Sequence, residues 1–377
     1  MNIAILTQPI CNNYGGILQN YALQTLLERR GHTVTTLNYP VVPGYSGSSL
    51  RHILSISKRT IQKLLGYPEV IWIDLATESR KQVELAHQQK KFIEKHLHLA
   101  NPTYLLEQTL SNTSNFSNLS NFDAYVVGSD QVWRPRYNKG HLGNLFLDFA
   151  EGKEVKRISY AASFGTDVWE MNEEQTEKCS LLAKQFDVIS VREESGVDLC
   201  KEHLGIEATH VLDPTLLLDA KDYLSLCNGT EHPEGDYIAV YTLDYTKEKI
   251  ALLNAVSREL NCPLHFIGRF TKKGYPSVES WLEGIAHAKY VITDSFHGTV
   301  FSIIFQKQFV TLGNAARGNS RFDSLFATLG IDTARQCNET TTIVQLLKEG
   351  IDYNKINKVT EEKRESSTLF LQAALTN

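Results

Sequence analysis

The chain has 377 residues, more than one ordinary core organises, so two domains of roughly 150–200 residues are expected. Hydrophobic residues at 42% and charged residues at 21% give an ordinary soluble composition. The formal net charge of −5 argues against nonspecific nucleic-acid binding as the main role. Six scattered cysteines without a CxxC pair read as reduced intracellular thiols, not as a disulfide framework or a zinc site. The opening MNIAILTQPI has no basic region and too short an apolar run for a signal peptide, and no apolar window is long enough to span a bilayer. The expected location is cytoplasmic.

NIAIL reads as a short buried strand and NNYGG as a turn. Leu18, Tyr21, Ala22, Leu26 and Leu27 then recur at helical spacing until Gly31 stops the run, and TVTTLNY returns as a strand. Such a unit implies a parallel sheet with helices packed on it. Residues 43–120 break the rhythm as a helical insertion. Leu50, Ile53, Leu54, Ile61, Leu64 and Leu65 fall near one helical face, among or opposite Arg51, Lys58, Arg59 and Lys63. A second helical run, ATESRKQVELAHQQKKFIEKHL, and a low-complexity loop, SNTSNFSNLSN, complete the insertion.

Alternation then resumes. DAYVVGSD, RISYAASFG and DVISVRE are strands, helices fall at about 173–186 and up to residue 204, and ATHVLDP closes the first half. Asn-Gly and Pro-x-Gly breakers in residues 217–236 place the domain junction there, giving domains 1–225 and 226–377. The second half repeats the alternation: YIAVYTL, a helix at 248–260, LHFIG, a helix at about 280–288, YVITD, a helix opened by SFHGT, QFVTLG and a polar C-terminal helix. The fold class expected is α/β, with two doubly wound domains facing a cleft.

Ligands of open parallel sheets collect beyond the carboxyl ends of the strands, and four strand ends here carry residues that a plain turn does not need. In NNYGG, Gly15 and Gly16 let backbone approach a ligand at a helix N-terminus, and Asn13 reads equally well as a local hydrogen-bonder. GxGxxG and Walker spacings are absent, so a nucleotide fingerprint is unsupported. In GSDQVW, Ser129 and Asp130 suit a cap or a ligand contact, and Trp133 suits stacking on a sugar ring. In SVREES, Arg192 suits a bidentate contact to phosphate or carboxylate, or a salt bridge to Glu193 or Glu194. In DSFHGT, Asp294 and Ser295 suit N-capping and Gly298 allows close helix–strand packing, but neither role needs a histidine. His297 is therefore the candidate proton-transfer group. AARGNSRF adds Arg317 and Arg321 on a loop with Asn314 and Asn319, and HFIGRF adds Arg269. His87, His96 and His98 fall on or after a polar helix, and HExxH, GxSxG and paired-carboxylate spacings are absent, so no metal site and no cofactor are expected.

Taken together, NNYGGILQNYALQ, FDAYVVGSDQVW, ISYAASFG, ISVREESG, VLDPTLLL, TDSFHGTVFSI and NSRFDSLF resemble the polysaccharide pyruvyl transferase family, in order, from residue 1 to about 330. The resemblance implies two Rossmann-like domains in a GT-B-like arrangement, with the site in the interdomain cleft. It implies transfer of the enolpyruvyl portion of phosphoenolpyruvate, the donor substrate, to a sugar or lipid-linked glycan acceptor, usually as a ketal across two hydroxyls. Two positions depart from the family pattern. Ser295 stands where many relatives carry arginine two residues before the matching histidine, and Gly15-Gly16-Ile17 stands where many have Gly-Asp-Glu.

On this reading His297 is the acid/base, held by Ser295 or Asp294. Arg192 and Arg317 are anion clamps, with Arg321 and Arg269 in reserve, and NNYGG and GSDQVW hold the acceptor. Two rival readings stand beside it: a GT-B glycosyltransferase using a nucleotide sugar, and a noncatalytic glycan- or nucleotide-binding relative. The basic stretch 51–63 suggests peripheral contact with the inner membrane face, against the plainer reading of a helix packed on the first sheet.

Overall fold

The computed structural model describes residues 1–37, 86–100, 122–138, 140, 142–227, 230, 232–269, 274–313 and 320–376. The expected basic helix at 50–65 and Arg317 lie outside these residues.

Among the described residues, ten strands form two parallel sheets. The first contains β1 (Asn2–Leu6), β2 (Thr33–Thr36), β3 (Ala124–Val127), β4 (Lys156–Ala162), β5 (Val188–Val191) and β6 (Thr209–His210), in the order β2-β1-β3-β4-β5-β6. The second contains β7 (Ile238–Tyr241), β8 (Leu264–Phe266), β9 (Tyr290–Thr293) and β10 (Gln308–Thr311), in the order β10-β9-β7-β8. AYVV and IAVY are buried at every position, as strands covered by helices on both faces must be. In each sheet the strand order reverses once, between β1 and β3 and between β7 and β9, and such reversals open a crevice at the carboxyl ends.

The connecting helices follow the expected alternation. They are α1 (Tyr14–Glu28), α2 (His87–His96), α3 (Glu173–Ala183), α4 (Glu194–Leu199), α5 (Ala220–Leu224), α6 (Lys247–Leu260), α7 (Val278–Ala286), α8 (Phe296–Ile304), α9 (Ser320–Leu329), α10 (Thr340–Glu349) and α11 (Tyr353–Thr376). Several begin where side chains satisfy the free N–H groups. Asn172 and Gln175 form a capping box on α3, and Thr246, Ser277 and Ser295 cap α6, α7 and α8.

One apolar cluster covers the outer face of each sheet, and a third runs continuously between the two halves through Ile17, Trp281 and Phe301. Tyr14, at the start of α1, stacks on Trp281 of α7 with ring centroids 5.3 Å apart and donates to the Pro276 carbonyl at 2.7 Å. The two halves thus share an apolar joint directly beside the α1 N-terminus.

The polar C-terminal helix expected from the sequence is α11; among the described residues α9 and α10 precede it after β10, and α11 packs back on the first half. The Leu212 N–H donates to Ser367 Oγ at 3.0 Å, and Arg364 Nε donates to the Leu216 carbonyl at 2.8 Å. The return follows from the burial of Leu371, Ala374 and Leu375 in the shared cluster, an apolar stripe that the many polar residues of the helix mask in the sequence.

Candidate functional site

Both crevices contribute to one set of buried polar groups. In the first sheet, Gln19 of α1 ties the ends of β1 and β3: its amide nitrogen donates to Thr7 Oγ1 at 2.8 Å, and its carbonyl accepts the Ser129 N–H at 3.0 Å. Ser129 is thereby fixed with its hydroxyl 3.4 Å from Asp213 Oδ2. Asp213, just beyond β6, turns its other oxygen back on its own loop and accepts the Thr215 N–H at 3.0 Å and the Thr215 hydroxyl at 2.6 Å.

Arg192, at the end of β5, completes the floor of the site. Its Nη1 donates to Asp213 Oδ2 at 2.9 Å, its Nε donates to Glu193 Oε1 at 3.0 Å, and its Nη2 lies 3.8 Å from Asp130 Oδ1. Ser163, at the end of β4, donates to the same Glu193 oxygen at 2.8 Å. Burial pushes the Asp213 carboxyl up, but His297, Arg192 and Thr215 overcome that and hold it well below the usual carboxylate range. Burial likewise disfavours the Arg192 charge, and Glu193, Asp213 and Asp130 more than reverse the effect.

From the second half comes His297, in the first turn of α8. Its Nε2 lies 3.5 Å from Asp213 Oδ2 and has no aligned hydrogen-bond partner among the described residues. The ring rests against Gly15 of α1: a Cβ built there would fall 2.0 Å from Nδ1 and 2.3 Å from Cγ, so no side chain fits while His297 keeps this position. Gly298 plays the matching part within the second half, where a Cβ would meet Thr293 Oγ1 at 2.3 Å, and the helix seats tightly on β9. His297 is thus clasped by the first half, with Gly15 on one side and Asp213 on the other.

The sequence expectation that Ser295 or Asp294 holds His297 is corrected. Ser295 Oγ accepts the Gly298 N–H at 3.3 Å, which makes it the helix cap. Asp294 accepts the Leu243 N–H at 2.7 Å and pairs with Lys249, so it serves the second sheet. Trp133 is corrected too. It is fully buried, stacked on Phe146 at 4.8 Å, with its indole N–H donating to the Leu145 carbonyl at 3.0 Å; a sugar cannot reach it. Arg192 is not an anion clamp, because three carboxylates already surround a guanidinium that is 1% exposed. It is the internal counter-ion of the site.

Of the remaining candidates, Asn13 is exposed at the N-terminus of α1 and makes no side-chain cap, with Gly16 behind it. Asp130 accepts the following N–H, from Gln131, at 2.9 Å. Arg321 of α9 lies close to this group: the Phe296 ring has the Arg192 guanidinium 4.4 Å from its centroid and that of Arg321 5.8 Å away. Burial and the neighbouring Arg192 bring the Arg321 guanidinium down to about 10, still cationic at neutral pH. Arg269 is exposed, over the rings of Tyr245 and Phe266 at 5.2 and 5.4 Å.

Asp213 is the residue that sequence reasoning missed. It stands in VLDPTLLL, where Asp-Pro-Thr reads as a turn, and nothing local announces that Arg192 and His297 converge on it.

The family model described as polysaccharide pyruvyl transferase matches residues 13–315. The chain belongs to the polysaccharide pyruvyl transferase family. Membership makes it a transferase acting in polysaccharide pyruvylation, and a glycan acceptor fits that role. The matched span runs from Asn13 to just past β10, so it contains Gly15, Arg192, Asp213 and His297.

No curated protein matches the sequence. Solved structures share the architecture of this pyruvyl transferase relative at low identity. Arabidopsis thaliana UGT89C1 complexed with UDP-L-rhamnose aligns with a TM-score of 0.51 at 13% identity, over 97% of this chain and 94% of that one. The UDP-GlcNAc 2-epimerase from Neisseria meningitidis bound to UDP-GlcNAc gives 0.50 at 9% identity over 100% of both chains. MnaA of S. aureus with UDP gives 0.50 at 12% identity, over 96% and 91%. These likenesses bear out the two-domain, GT-B-like fold. Among the described residues no helix is long and apolar enough to cross a membrane.

Proposed function

We propose that the protein transfers the pyruvyl group of phosphoenolpyruvate to a pair of hydroxyls on a polysaccharide or its precursor, forming a pyruvate ketal without a metal ion. The observation that carries this reading is the clasp on His297, an imidazole between Gly15 and an ionised Asp213, in a member of a pyruvyl transferase family.

The chemistry asks for one acid and a cationic wall. His297 delivers a proton to the methylene carbon of the donor, leaving positive charge at C2 that a sugar hydroxyl attacks. That hydroxyl returns its proton to His297. Phosphate then departs and takes up the proton of the second hydroxyl as that oxygen closes the ring. The products are ketal and inorganic phosphate, and the imidazole ends as it began. Asp213 is the positioning residue: its carboxylate faces Nε2 and orients the ring. With Arg192 enclosed by carboxylates, Arg321, which shares the Phe296 ring with it, takes the donor anion in place of the family arginine missing at Ser295. Asn13, exposed at the start of α1, is the candidate left to meet the acceptor, because Ser129 and Asp130 are enclosed with Asp213 and Arg192.

The test is phosphate release from phosphoenolpyruvate by the purified protein. Release only when a candidate glycan intermediate is added supports the reading; release without glycan, or none with any glycan tried, counts against it. The nucleotide-sugar reading has its own support, because the three aligned structures carry UDP or a UDP-sugar. It requires calorimetric binding of UDP that phosphoenolpyruvate does not displace.

A further inference from the structure

At the far end of the second sheet from His297, the fold gathers three side chains that the sequence keeps apart. Glu283 and His287 lie one helical turn apart at the C-terminal end of α7, on the same face. His232 comes from the connection between the sheets, shortly before β7. One ligand atom from each of the three lies within 4.8 Å of the others. The imidazole rings of His232 and His287 are stacked 3.7 Å apart and within 3° of parallel, and His287 Nδ1 is 2.7 Å from Glu283 Oε2. Glu283 is only 8% exposed, and its Oε2 is buried without an aligned hydrogen-bond donor among the described residues. The His287 imidazole meets that oxygen at 2.7 Å, and an ion held between the three groups would take over that role.

The connection is held over α7 at both ends. Cys227 Sγ donates to the Glu279 carbonyl at 3.7 Å, and the Tyr237 hydroxyl donates to the Gly284 carbonyl at 3.1 Å. His232, between these two anchors, is thereby carried to the face that presents Glu283 and His287.

We propose that His232, Glu283 and His287 form a binding site for a divalent transition metal of the zinc class, which pins the interdomain connection to α7. Two imidazole nitrogens and one carboxylate oxygen suit such an ion, with water in the fourth position. To bring both nitrogens to about 2.0–2.1 Å from one ion, the stacked rings fan apart, and both sit at the surface where that turn has room. The location fixes the role. His232 precedes the amino end of β7 and His287 precedes the amino end of β9, whereas His297 follows the carboxyl end of β9. The ion therefore stabilises the connection and takes no part in the transfer reaction, which keeps its metal-independent form.

Calorimetry of the full chain, first stripped with chelator and then titrated with Zn²⁺, tests the site, with Co²⁺ titration followed by visible absorption. The expected result is one equivalent bound, a raised thermal midpoint, and a Co²⁺ spectrum without thiolate charge-transfer bands. His232→Ala and His287→Ala, both surface substitutions, should each weaken binding by about 100-fold or more, beyond what loss of a supporting residue costs. Glu283→Gln should weaken it as well, whereas His297→Asn should bind like the unaltered protein. Absence of binding, unchanged affinity in His232→Ala, or thiolate bands in the Co²⁺ spectrum would each overturn the proposal.

Discussion

Two strand-to-helix corners meet at the candidate site, and they are built in opposite ways. At the β5–α4 corner, Arg192 and Glu193 are almost wholly enclosed and tied to Asp213, Asp130 and Ser163. At the β9–α8 corner, the cap and strand-end groups are satisfied within the second half, and His297 is left with one oblique approach to Asp213. The first corner is a fixed electrostatic floor; the second presents a single ring. The contrast teaches that the most strongly charged residue of a cleft need not be the one that meets the substrate. A buried arginine ringed by carboxylates sets the geometry, and on the proposed reading the less satisfied neighbour is the one that exchanges a proton.

Substitutions that act on one corner alone put this contrast to the test. Asp213→Asn strikes the floor and should have the largest effect: removing the charge leaves Arg192 buried and undercompensated, at a cost of about 3–5 kcal/mol in denaturant unfolding. The same residue predicts a pH signature. Its folded carboxyl lies below the unfolded value, so its contribution to stability is complete above about pH 4 and is lost as the pH falls from there toward the folded value. The variant should flatten that acid limb; an unchanged limb would separate Asp213 from acid unfolding.

His297→Asn strikes the other corner. Turnover should fall about 10²-fold or more with a smaller loss of stability than Asp213→Asn, and near-normal turnover would remove the ring from the chemistry. Gly15→Ala acts on the clasp between the corners. Its methyl displaces the His297 ring, costing about 1–3 kcal/mol from overpacking and lowering turnover more than acceptor affinity, as kinetics would show. Trp133→Phe is the smallest change. Loss of the indole hydrogen bond should cost about 1–2 kcal/mol and leave the acceptor KM alone; a raised KM with unchanged stability would restore a sugar platform.

The strands were legible because each is a short apolar run closed by a turn, and the α8 start that carries His297 was legible from the Asp294-Ser295 cap signal. The corrected roles share a cause. Arg192 looked available because its partners at 130 and 213 are remote in sequence, and Trp133 looked like a platform because the aromatic residues that bury it, Phe146 and Phe164, lie further along the chain. Asp213 was invisible because Asp-Pro-Thr is ordinary turn chemistry until a guanidinium and an imidazole arrive from elsewhere. Local pattern reports burial and punctuation well; it does not report which distant charges converge.

The return of α11 sets an order on assembly. The loop that carries Asp213 is fastened by Ser367 and Arg364, residues made roughly 150 positions later. A growing chain that has finished β1 to β10 therefore still lacks the brace on the Asp213 loop. Competence arrives with that final crossing, as a latch closes a lid already in place.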